Sequence, residues 1–168
     1  MVAARRPNAG FTLTEAMLTV AIVGILATIG ARLLLQVNRY YIMTKTRVEL
    51  QREARAIMYV ISSNLHQAQS VTIVLDREDS TQPFYSRVTF TKVQGSSLSF
   101  RQVGKELHQV GGGTNDQILT KNLRYLAFTF PRSDDMTIVS VSLTLEQDIY
   151  EGQTKALHMA SEKVRVMN

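Results

Sequence analysis

Gly10-Phe11-Thr12-Leu13-Thr14-Glu15 leads without a break into residues 16–31, a stretch that carries no charge and is almost wholly apolar. A bilayer core is crossed by about 20 predominantly apolar residues in a helix, so the run that follows Glu15 predicts a membrane-length helix with one carboxylate at its head. An ionised side chain toward the middle of a bilayer costs about 2.5–3.5 kcal/mol on insertion scales, which makes an embedded acid a functional residue in need of a partner. The nearest candidate is an amine. If residues 1–10 were removed, Phe11 would carry a free α-ammonium, and Glu15 of a neighbouring copy would find its counter-charge there, inside lipid.

These residues resemble the class III signal of type IV pilins and type II secretion pseudopilins. Gly10 matches the small residue before the cleavage point, Phe11 the usual first mature residue, and Glu15 the acid five residues into the mature chain. Arg5 and Arg6 supply the positive charge of a cytoplasmic leader. The resemblance implies that a prepilin peptidase cleaves after Gly10 and methylates the Phe11 amine, and that Phe11 and Glu15 serve assembly. It implies as partners the membrane, other minor and major pilins or pseudopilins, and an assembly platform protein. It also implies a single-pass anchor in the inner (cytoplasmic) membrane, with the head in the periplasm or outside, before incorporation into a pilus or pseudopilus. Arg32 stands where filament-building subunits usually have a kinking Pro, which points to a minor subunit.

An ordinary secretory signal is the competing reading, since Arg5 and Arg6 before an apolar core also fit its first two regions. Against it, the core is long, Ala27-Thr28-Ile29-Gly30-Ala31 is a poor cleavage site, and Glu15 would have no role. Basic residues near the membrane number two before the span but include Arg32, Arg39, Lys45 and Arg47 after it, so the positive-inside bias alone would turn the C-terminal body inward. The motif outweighs that count, and Arg32 can snorkel to the headgroups.

The net charge of +5 is unevenly spread. From Ile57 to the C-terminus, eleven Lys/Arg meet eleven Asp/Glu, whereas six Lys/Arg meet only Glu49 and Glu53 between Arg32 and Arg55. A basic collar beside a membrane suits anionic headgroups better than nucleic acid, so DNA is an unlikely partner. With no Cys, the head must stand on its core rather than on disulfides. Enzymatic chemistry is missing: His66, His108 and His158 are far apart, and Gly111-Gly112-Gly113 has no Lys-Ser/Thr after it to cradle phosphate. It reads as a flexible hairpin loop. No cofactor and no small-molecule substrate are expected. The acidic turn Asp76, Glu78, Asp79 lacks the spacing of a known calcium loop; a solvated turn is the simpler reading, with calcium left open.

Beyond the span, Leu50, Ala54, Ile57, Ile61, Leu65 and Ala68 fall on one helical face. No Pro or Gly interrupts residues 31–70, so one helix is expected from about Phe11 to Gln69. From Val71 the period changes to two: Val88 and Phe90, Leu98 and Phe100, Leu126, Phe128 and Phe130, then Val139, Val141, Leu143 and Leu145. Turn signals lie at 76–83, 94–97, 111–116 and 131–135. The expected fold class is α+β, a long N-terminal helix packed on an antiparallel β-sheet head, of one sheet or two small ones. The expected segments are a leader at 1–10, a transmembrane and polymerisation helix at 11–35, its amphipathic continuation at 36–69 and the β-rich head at 70–168. Loosely, the order "RVTF", "SLSFRQVGKEL", "ILTKNLRYLAFTF" is similar to J-type minor pseudopilins and W-type minor pilins. Such subunits work by contact, priming or capping a filament. The alternative is a pilus-associated adhesin or DNA-uptake subunit.

Overall fold

The computed structural model describes residues 10–111, 114–150 and 154–166, with the side chains of Thr114, Asn115 and Tyr150 left aside. Arg5, Arg6, Gly112 and Gly113 lie outside the described residues. The element order is α1 (Leu13–His66), a short 3₁₀ turn (Ser70–Thr72), then β1 (Val74–Asp76), β2 (Arg87–Thr91), β3 (Ser97–Val103), β4 (Glu106–Gly111), β5 (Thr114–Thr120), β6 (Leu123–Thr129), β7 (Ile138–Tyr150) and β8 (Thr154–Arg165). The chain divides into two compact units, Met1–Ile42 and Met43–Asn168.

In the first unit the helix carries Leu18, Ile22, Ile25 and Ile29 exposed, along with nearly every other apolar side chain. A helix apolar on all sides has no aqueous face to offer. Thr19 and Thr28 donate their hydroxyls to the carbonyls of Ala16 and Ile25, both at 2.8 Å, so even the polar side chains are satisfied within the helix. By length and composition this helix is able to cross a membrane.

In the second unit α1 continues from Met43 and turns amphipathic. Leu50, Ala54, Ile57, Ile61 and Leu65 are buried, joined by Met58. They close over the inner faces of two antiparallel sheets, a five-stranded meander ordered β1-β2-β3-β4-β5 and a three-stranded one ordered β6-β7-β8. Register puts apolar partners opposite one another, as in Val88↔Phe100, Phe90↔Leu98, Leu126↔Leu143 and Phe128↔Val141. The expected α+β architecture is thus present, with two sheets rather than one.

The helix ends three residues early, at His66, without Gly or Pro. Gln67 and Ala68 donate to carbonyls three residues back, and the β2–β3 hairpin then captures the chain: Val93 N–H bonds the Gln67 carbonyl at 3.0 Å and Gln69 N–H the Thr91 carbonyl at 2.9 Å. Tertiary pairing, not local propensity, stops the helix. A second surprise is β8, whose larger apolar side chains Leu157 and Met159 face out while the smaller Ala156 and Val164 face in. Twelve positions of pairing with β7 specify it instead.

The sheets are joined through Gln102, a buried amide on β3. Its Oε1 accepts the Leu126 N–H at 3.0 Å, and its Nε2 donates to the carbonyls of Gly104 at 3.0 Å and Arg124 at 3.3 Å. Each of those backbone groups needs a partner once buried, so one polar side chain fixes how β3 meets β6.

Gly111, expected in a flexible loop, closes strand β4 opposite Leu98. Its φ is +100°, and a Cβ there would stand 2.2 Å from the Ser97 carbonyl oxygen. Backbone cannot yield as a flexible side chain does, so Gly111→Ala is expected to cost about 2–4 kcal/mol. Urea unfolding of a chain begun at Thr44 measures this; an unchanged midpoint contradicts it.

Candidate processing and assembly site

The segment that the sequence singled out is built by its own backbone. Thr12 caps α1: its carbonyl accepts the Ala16 N–H at 3.1 Å and its Oγ1 accepts the Glu15 N–H at 3.4 Å. Thr12-Leu13-Thr14-Glu15 therefore has the spacing of a capping box, in which a Thr and a Glu three residues on settle the first turn. The signal for the cap lies in the sequence itself, as Thr followed three positions on by Glu. The cap holds Glu15 in the first turn, where the positive end of the helix favours a carboxylate.

Gly10 and Phe11 lie before the cap, outside the helix and exposed. Among the described residues nothing lies within 4 Å of where a Cβ on Gly10 would sit, so the described fold does not demand glycine there. Phe11 is 77% exposed although it is aromatic. Glu15 is exposed too, and the nearest basic residue ahead of it on the helix is Arg32, seventeen positions or about 26 Å away. Gly10, Phe11 and Glu15 thus share one short segment, and among the described residues the carboxylate has no counter-charge near it.

In the head, charge is largely spent on internal pairs. Asp76 bonds Arg87, and Glu78 reaches Arg87 at 3.4 Å and Arg101 at 3.2 Å. Asp79 accepts the Thr81 N–H at 3.0 Å. The acidic turn is accordingly not simply solvated, since Glu78 is tied into an arginine ladder. His108 bonds Asp116 at 2.7 Å and Glu106 at 3.3 Å, while His66 meets the Arg165 carbonyl at 2.7 Å. Phe84 and Tyr85, which precede β2, have different neighbours: Phe84 packs on Tyr125 and Tyr85 lies under Arg77. Among the described residues no group of His, Cys, Asp and Glu is arranged to hold a metal.

Glu146 has the strongest electrostatic setting. Its side chain is only 7% exposed and is gripped by Lys155 and Arg124. Hydrogen bonds from Lys155 first, then Arg124, pull its pKa from an ordinary 4.5 to about 2. The folded state therefore holds this carboxylate ionised where the unfolded chain would protonate it. Its contribution is full above about pH 4.5 and is lost as pH falls toward 2. Glu146→Gln should weaken the head at pH 7, with the two melting curves converging near pH 2; a gap that persists in acid refutes the assignment.

Residues 5–31 match the family model described as the prokaryotic N-terminal methylation motif, the type IV pilin-type prepilin signal. The match covers the capped segment and the apolar helix after it. No curated protein matches the chain.

Proposed function

We propose that this chain is a minor pilin or pseudopilin subunit, cleaved after Gly10, methylated on the Phe11 amine and assembled through its N-terminal helix to initiate or cap a filament. One observation carries the reading: Glu15 heads a helix exposed in apolar residues on every side, and among the described residues no cation stands within its reach. The reading has a stepwise physical logic. An exposed, non-helical Gly10-Phe11 bond is open to a peptidase, and cleavage releases an α-ammonium four residues ahead of the acid. Docking then brings that amine against Glu15 of a neighbour, so that two charges which are costly alone in lipid neutralise one another.

A minor role is supported by Arg32, a long cationic side chain in the helix where a kinking Pro would otherwise be expected, and by α1 running unbroken through it. The head acts as a contact module. Its cations Arg87, Arg101, Arg124 and Lys155 are committed to carboxylates and so are not free for nucleic acid.

Mass spectrometry of chain recovered from assembled fibres tests the proposal. The expected N-terminus is N-methylated Phe11. Fibres that contain residues 1–10 intact exclude it.

A further inference from the structure

Arg32 and Arg39 are seven positions apart, so at 100° per residue they lie on one side of α1. Both are exposed, and among the described residues neither forms an ion pair. The next acid along the chain, Glu49, is already 3.9 Å from Lys45. Immediately after Arg39 stand Tyr40 and Tyr41, 72% and 65% exposed. Among the described residues, these two guanidinium groups and the two exposed phenols beside them are not committed to the packing of the chain.

Their height along the helix gives them a role. About 20 residues fill a hydrocarbon core, so a span begun at Ala16 ends near Leu35. Arg32 falls a turn inside that boundary, where its long stem can carry the guanidinium outward, and Arg39 to Tyr41 fall a turn outside. Tyrosine at that level prefers the headgroup zone, its ring toward the chains and its hydroxyl toward water. Guanidinium binds phosphate with two parallel hydrogen bonds, and two uncompensated positive charges favour lipids with net negative charge over zwitterionic ones.

We propose that Arg32, Arg39, Tyr40 and Tyr41 form a collar that binds the phosphates of anionic lipid headgroups and sets the depth of the subunit before it leaves the membrane. This rests on the reading of residues 16–31 as a membrane span. It identifies a lipid partner that neither the methylation motif nor the proposed assembly requires.

The chain contains no Trp, so Tyr41→Trp provides a single fluorophore at the collar. The full chain carrying it is reconstituted in phosphatidylcholine vesicles with one-third phosphatidylglycerol, with bromine placed on either lipid in turn. Quenching should report a ratio of phosphatidylglycerol to phosphatidylcholine around Trp about fivefold above its bulk value of one to two. Arg32→Gln with Arg39→Gln should return the ratio to the bulk value, and Arg32→Lys with Arg39→Lys should retain most of the enrichment. Quenching that follows the bulk one-to-two proportion of the two lipids overturns the collar while leaving the span intact, as does an enrichment that survives the Gln pair. Absence of quenching by either lipid overturns the span as well.

Discussion

Glu15→Val should be processed normally and then fail to enter filaments. The substitution keeps the Thr12 cap, whose Oγ1 accepts the Glu15 backbone N–H that valine retains, and takes the carboxylate out of the first turn. What changes is electrostatic. Removing one partner of a buried pair costs about 3–5 kcal/mol, since the Phe11 ammonium of the neighbour is left uncompensated in lipid. The same change makes the free subunit more comfortable in the membrane, by up to about 3 kcal/mol, so both ends of the equilibrium move against docking. Incorporation should fall by at least about two orders of magnitude. Sheared fibres and membranes are compared by quantitative blotting, with the N-terminus checked in each fraction. Wild-type levels of the variant in fibres would remove the pairing idea, and loss of cleavage would show that Glu15 acts earlier.

Gly10→Val should stop the chain one step sooner, with residues 1–10 still attached. Here the structure sharpens what the motif alone suggests. A Cβ at Gly10 meets none of the described residues, so folding and insertion should be unaffected. Any defect must arise where the peptidase grips the residue before the cut, and steric rejection of added methyl groups by a fitted pocket amounts to about 100-fold in rate. A time course of leader removal in membranes measures it. Cleavage at the wild-type rate means that the enzyme does not read Gly10, and the cleavage point lies elsewhere. The two variants separate the steps: one yields a mature subunit that stays in the membrane, the other a full-length precursor.

Much of this was readable from local pattern. The helical stripe from Leu50 to Ala68 and the alternation from Val139 to Leu145 are all buried where their periods place them. Pattern failed where inward residues are small or polar. β8 buries Ala156 and exposes Met159, and Gln102, a polar residue between Arg101 and Val103, gave no sign that its amide would join two sheets. Gly111 looked like loop punctuation because its neighbours are glycines, although its own constraint is the backbone of Ser97 across the ladder.

The amino-acid order by itself determined the capped acid, the apolar span and the change of period from helix to strand, because each depends on residues within a few positions of one another. Only the tertiary structure decided where α1 stops, how many sheets the head has and which charges are already paired. Those outcomes depend on hydrogen bonds and ion pairs between residues distant in sequence, such as Gln69 with Thr91 and Glu78 with Arg101. No local pattern records such bonds until the chain brings their ends together.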